Sequence, residues 1–274
     1  MNFLQTIARK TAHILGHNSW IIRQLRPSYE TLLDWSTNGK GILWTINDVT
    51  YRIDPRYRHM LAQHYDSPAA EFLRQRVKPG AVCFDVGANV GVYVLQFCHW
   101  AGGTGKVIAF EPNPEAIAIL EKHIRINKIV PYTTVVKAAI GATNGEATLY
   151  IDGPDAMSRL GVANRLMAKR AKPIQVPLIT LDTFCLQQGM WPDWLFIDIE
   201  GFEIAALQGA EQIIKRRRPE LGIIVEMHPD VWDSANTNRA QTEELLQKLG
   251  LRVVPLTGQQ DPLAEHGLVH LEYQ

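Results

Sequence analysis

The stretch Val82-Cys83-Phe84-Asp85-Val86-Gly87-Ala88-Asn89-Val90-Gly91 constrains this chain more than any other. A short apolar run, as a strand buried on both faces requires, breaks at an acid and passes through a turn with a glycine at each end. A helical pattern follows. Gly87 tolerates backbone angles that a Cβ resists, and Gly91 lets the next helix pack against the strand or lets a ligand approach its backbone. With Ala88 and Asn89 between them, these residues predict a crevice at the carboxyl end of a strand, lined by amide N–H groups. Beyond it, apolar runs and amphipathic runs alternate almost to the end of the 274 residues. That is the pattern of βαβ units around a parallel sheet.

A dinucleotide fingerprint orders its glycines G-x-G-x-x-G, whereas here the order is Asp-x-Gly-x-x-x-Gly. A carboxylate at Asp85 sits badly beside a pyrophosphate and well beside a cationic ligand such as the sulfonium and ammonium of S-adenosylmethionine. The next strand, Lys106 to Phe110, ends in Glu111-Pro112-Asn113-Pro114. Glu111 stands where nucleoside-binding α/β domains carry the acid that accepts from the ribose hydroxyls. It also reads as an acid favoured near a helix N-terminus, with Pro114 in the first turn. The cofactor set expected is Asp85, Gly87, Ala88, Asn89, Gly91, Glu111, Asn113 and Asp198.

A second set of acids follows two later strands. Trp194 to Ile197 leads into Asp198 and Glu200, and Leu221 to Val225 leads into Glu226 and His228. Residues two apart share a face while the chain stays extended. Such a group permits general-base catalysis by His228, whose ordinary pKa suits proton uptake at neutral pH. It equally permits a divalent metal on Asp198, Glu200 and Glu226. The base is preferred, because Gly201 and Pro229 allow bends that would separate the ligands, and no metal is assigned. The catalytic set is thus His228, Asp198, Glu200 and Glu226. Two plainer roles stand beside it: His228 as a loop anchor, and Glu203 as a first-turn helix acid.

FDVGANVGVY, GKVIAFEPNP, KAAIGATNGEATLY, VPLITLDTF, FIDIEGFEIAALQGA and RPELGIIVEMH occur in that order. Together they resemble the FkbM family of class I S-adenosylmethionine-dependent methyltransferases, over roughly residues 77–228. The resemblance implies a Rossmann-like α/β fold: a mostly parallel sheet, helices on both faces and an antiparallel edge strand. It also implies S-adenosylmethionine as cofactor, a hydroxyl on a sugar or other small metabolite as acceptor, and adjacency of the strands ending at Asp198 and Glu226. The helix preceding the central strand lies near the cofactor in the family, which makes Tyr65 and Glu71 contact candidates. One departure is Phe196, where the family commonly carries lysine. The alternatives are an NAD-dependent oxidoreductase, disfavoured by the glycine order, and a non-catalytic scaffold of the same fold.

Lys plus Arg equals Asp plus Glu at 28 each, so global charge argues for no nucleic-acid partner, and a small-molecule or glycan acceptor is expected. Cys83, Cys98 and Cys185 lack CxxC pairing and read as small buried residues. No apolar run reaches the roughly eighteen residues of a membrane span, and with no secretory pattern a cytoplasmic location is the default. Residues 1–26 are basic, amphipathic and free of acids, which suits packing on the domain or on a second copy in a homodimer. Peripheral association with an anionic membrane is the rarer reading.

The expected organisation is an N-terminal extension, 1–66, with a helix and a hairpin turning at Asn47-Asp48, followed by the cofactor-binding domain, 67–274. Ser67-Pro68 is expected to start a helix with Pro68 in its first position. Asn144-Gly145 predicts a hairpin between Ile140 and the run Ala147 to Ile151. Residues 152–173 lack periodicity and carry Arg165, Lys169, Arg170 and Lys172, which suggests a lid facing a phosphate, carboxylate or nucleotide-sugar substrate.

Overall fold

The computed structural model describes residues 20–154, 158–161 and 169–274. The chain divides into two compact units, Met1–Tyr65 and Asp66–Gln274. Among the described residues no helix is long and apolar enough to cross a membrane. Most of the basic stretch 1–26 lies outside the described residues.

In the first unit, helix α1 (Trp20–Ser36) precedes strands β1 (Ile42–Ile46) and β2 (Val49–Ile53). The strands pair antiparallel with Ile46 opposite Val49, so Asn47 and Asp48 form a two-residue turn. Both have positive φ, 44° and 65°, as a tight hairpin with native twist requires. The Asn47 side chain also donates to the Tyr65 carbonyl at 2.7 Å and accepts from its N–H at 3.1 Å.

The second unit opens with α2 (Ser67–Arg76), β3 (Val82–Val86), α3 (Val92–Ala101), β4 (Lys106–Phe110), α4 (Pro114–Ile126) and β5 (Thr133–Val136). Four strands follow: β6 (Ala139–Ile140), β7 (Gly145–Ile151), β8 (Arg159–Leu160) and β9 (Lys172–Ile179). Then come α5 (Leu181–Gln188), β10 (Trp194–Ile197), α6 (Glu203–Gln208), α7 (Glu211–Arg217), β11 (Gly222–Met227), α8 (Arg239–Leu249), β12 (Leu251–Pro255) and β13 (Gly267–Tyr273). The main sheet has the order β12-β13-β11-β10-β3-β4-β5. Its strands run parallel from β11 to β5, and β13 lies antiparallel between β11 and β12. This is the Rossmann-like sheet expected of the sequence.

Strand alternation sends Phe84, Val86, Leu195 and Ile197 into one apolar core with Phe184 of α5, Ile213 of α7 and Leu245 of α8. Burying each such side chain contributes about 1.5–3 kcal/mol. On the opposite face Phe196 stacks on Tyr93 of α3 with centroids 3.8 Å apart, and Phe72 of α2 meets Trp194 edge-on. Phe196, at the position where lysine is common, is therefore a core aromatic, 2% exposed.

Two expectations need correction. The Asn144-Gly145 hairpin does not form: β6 pairs with β9 and so does β7, in a separate sheet ordered β6-β9-β7-β8. Asn144 instead accepts from the Thr180 N–H at 2.9 Å and donates to Thr183 Oγ1 at 2.9 Å, securing the start of α5. These hydrogen bonds supply what a tight turn would have supplied. Helix α2 begins one residue earlier than predicted: Asp66, at φ 43°, is the N-cap, Ser67 is first and Pro68 second.

Candidate active site

The turn after β3 is fixed by backbone contacts. Gly87 has φ 90° and Gly91 φ 94°. The Gly87 and Ala88 N–H groups both donate to the Phe110 carbonyl at 3.0 Å, which holds the turn against the end of β4. A Cβ at Gly91 would meet Leu120 Cδ1 of α4 at 2.6 Å, so its smallness serves packing between helices. Asn89, at φ 45°, directs its N–H to Glu111 Oε2 at 2.8 Å. The other carboxylate oxygen of Glu111 accepts from the Asn113 N–H at 2.8 Å. Asn113 caps α4 by accepting from the Glu115 N–H.

Asp85 is 2% exposed, accepts from the Val94 N–H in the first turn of α3, and leaves Oδ2 without a hydrogen-bond partner. Burial, reinforced by the nearby Glu111, pushes its carboxyl up to about 8. Burial likewise raises Glu111 to about 7, against the pull of its two N–H donors. Two buried acids with an unsatisfied oxygen form a site that a cationic, hydroxyl-bearing ligand fits.

The segment expected to be a lid is partly ordered sheet, since β8 pairs antiparallel with β7. Asn89 Nδ2 donates to the Pro154 carbonyl, and Asn113 Nδ2 donates to the Gly153 carbonyl and Ser158 Oγ. The segment is thereby tied to the cofactor end of β3 and β4. Arg165 lies outside the described residues, and Arg170 pairs with Asp152 at 3.2 Å. Of the weaker contact candidates, Tyr65 belongs to the first unit, and Glu71 is exposed and paired with Arg74.

At the ends of β10 and β11 the second set of acids assembles, rearranged. Glu200 has φ 48°, so the chain does not stay extended past Asp198. Glu200 turns to Arg159 of β8 at 3.3 Å. Asp198 shares a hydrogen bond with Glu226, and burial followed by the Glu226 charge raises its pKa well above the ordinary carboxylate range. His228 Nδ1 lies 2.7 Å from Glu203 Oε1. Burial pulls this imidazole down, but the hydrogen bond to Glu203 and the charges of Glu203, Glu200 and Glu226 outweigh it and hold the ring at about 9. In that state the ring is charged at neutral pH and offers no lone pair.

Glu203 is more than a first-turn acid. It is fully buried and accepts from the Gly201 N–H at 2.7 Å and from Trp232 Nε1 at 3.3 Å. Sequence reasoning also missed His266, 2.9 Å from Glu226, and Asp66, which burial and the Glu226 charge raise to about 6.

A family model described as the methyltransferase FkbM domain matches residues 85–253. The chain belongs to the FkbM methyltransferase family. S-adenosylmethionine is the cofactor of this FkbM fold. Over 269 aligned residues the chain is 22% identical to ribosomal protein L11 methyltransferase of Chloroflexus aurantiacus, covering 82% of itself and 80% of that protein. Among solved structures it is similar to an FkbM methyltransferase from Methylobacillus flagellatus, at 15% identity and TM-score 0.46, covering 74% of this chain. The chain spans half the length of that protein. It is also similar to Aeropyrum pernix fibrillarin with bound S-adenosyl-L-methionine, at 12% identity and TM-score 0.43, covering 84% of this chain and 82% of the other.

Proposed function

We propose that the chain methylates a hydroxyl oxygen on a sugar or other small metabolite. In this reading Asp85, Gly87, Ala88, Asn89, Gly91, Glu111 and Asn113 hold S-adenosylmethionine, while Asp198, Glu226 and His228 face the acceptor and Glu200, turned to Arg159, does not. The observation that carries it is the direct contact between the two groups: the turn at Gly87 packs on the backbone of Asp198. Bound S-adenosylmethionine supplies an electrophilic methyl group on a sulfonium. Glu111 would accept from ribose hydroxyls, and Asp85 would face the cationic end of the ligand.

Holding the acceptor beside the donor supplies much of the rate through orientation. The hydrogen-bonded carboxyl pair Asp198–Glu226 receives the hydroxyl proton as the oxygen becomes nucleophilic. The proton acceptor is thus moved from His228, whose Nδ1 is engaged by Glu203, to this pair. Incubation with methyl-labelled S-adenosylmethionine and fractionated small-molecule, glycan, protein and RNA pools is the test. The expected product is an O-methylated small molecule or glycan, identified by NMR. Label found only on protein or RNA would overturn the proposed acceptor class.

A further inference from the structure

Two imidazoles and a carboxylate converge at the carboxyl end of β11. Met227 pairs with Gly267 in the antiparallel ladder, so His228 and His266 occupy the next step beyond it. Their rings lie 4.6 Å apart between centroids, and His266 Nε2 is 2.9 Å from Glu226 Oε1. Glu226, His228 and His266 each offer a ligand atom, and those atoms lie within 4.8 Å of one another. We propose that these three residues form a binding site for one divalent cation of the zinc class.

The support behind His228 is what a metal-binding histidine needs. Glu203, fully buried and fixed by Gly201 and Trp232, engages Nδ1 and leaves Nε2 as the nitrogen at which a cation displaces the proton the ring otherwise carries. A carboxylate on the far nitrogen of a ligand histidine fixes its tautomer and raises its basicity. Two nitrogens and one carboxylate favour zinc, nickel or iron over magnesium, calcium and manganese, which prefer oxygen donors. Three protein ligands leave a position open, as in catalytic rather than structural zinc sites.

This set differs from the all-carboxylate one that the sequence left as the disfavoured alternative, because Glu200 is turned away to Arg159. Asp198 is hydrogen-bonded to Glu226, one of the three ligands. The use of the cation, which is to polarise an acceptor hydroxyl, rests on the methyl-transfer reading. Its binding does not.

The test is calorimetric titration of the full chain, stripped with chelator, with Zn²⁺ and separately with Mg²⁺. S-adenosylhomocysteine binding is measured on every variant. The expected result is one Zn²⁺ per chain and no saturable Mg²⁺ binding. Glu203→Gln should weaken Zn²⁺ binding about 10–100-fold, and His266→Ala and His228→Ala at least as much. His266 is more than half exposed, so its replacement keeps the fold if the His228 variant does not. Loss of Zn²⁺ binding in His266→Ala with S-adenosylhomocysteine binding retained upholds the site. Zn²⁺ binding that survives both histidine replacements is an adventitious ion only and overturns it. Wild-type protein that binds Zn²⁺ in this way but not S-adenosylhomocysteine would sink the methyl-transfer reading and leave the cation site standing.

Discussion

Gly87 lies against the carbonyl of Asp198: a Cβ built on the glycine would stand 1.8 Å from that oxygen. The first turn of the sheet and the end of β10 are therefore one surface, although 111 residues separate them in sequence. Gly87→Ala must either move the end of β10 or abandon φ 90°. Backbone strain alone is about 1–3 kcal/mol, and the overlap adds to it. We expect a urea midpoint lowered accordingly and S-adenosylhomocysteine binding lost; a variant matching wild type in both would refute this account of the turn.

Glu111 uses both oxygens on backbone N–H groups of the turn and of the α4 cap. Glu111→Gln replaces one acceptor with an NH₂ that faces a donor. A hydrogen bond to a charged group contributes about 1.5–3 kcal/mol, so affinity for S-adenosylhomocysteine should fall roughly tenfold to a hundredfold. Calorimetry measures it directly.

Asp85 and Glu111 make the cofactor-free protein sensitive to alkali. Their folded pKa values, about 8 and about 7, lie above the roughly 4 of unfolded carboxylates. Between those limits the folded chain holds more protons than the unfolded one, so stability falls as pH rises. The contribution is complete below about pH 4 and gone above about pH 8. Urea midpoints of the wild type should therefore decline between pH 5 and 8 more steeply than those of Asp85→Asn. Binding of S-adenosylmethionine near pH 7.5 should release protons, seen as a dependence of the calorimetric heat on buffer ionisation.

Arg159 couples the smaller sheet to the main one through Glu200, and the two side chains are only 10% and 21% exposed. Arg159→Met leaves Glu200 without its cation and should destabilise the fold by roughly 1–3 kcal/mol. The double variant with Glu200→Gln should recover part of that loss in a double-mutant cycle. Strict additivity would show that the pair is not coupled.

The parallel sheet was legible because β3, β4, β10 and β11 are apolar runs ending at acids, and the turn at Asp85–Gly91 because its glycines are spaced for it. The hairpin turn at Asn47-Asp48 was equally readable, since both residues accept left-handed angles. The same reasoning failed at Asn144-Gly145, where Asn144 found better partners in Thr180 and Thr183. Glu203 was undervalued because first-turn acids are common and its burial depends on Trp232 and His228 arriving from another segment. His266 carried no local signal at all: it reaches Glu226 through the register of an antiparallel pair whose members lie forty residues apart.

That pair has a consequence for assembly. Of the seven strands in the main sheet, β13 comes latest in the sequence, yet it sits between β11 and β12. Until it inserts, β11 presents a bare edge of unpaired N–H and C=O groups, the template on which other chains aggregate. The same pairing that covers that edge brings His266 to Glu226, so the sheet's protection and the closeness of these two side chains rest on one strand.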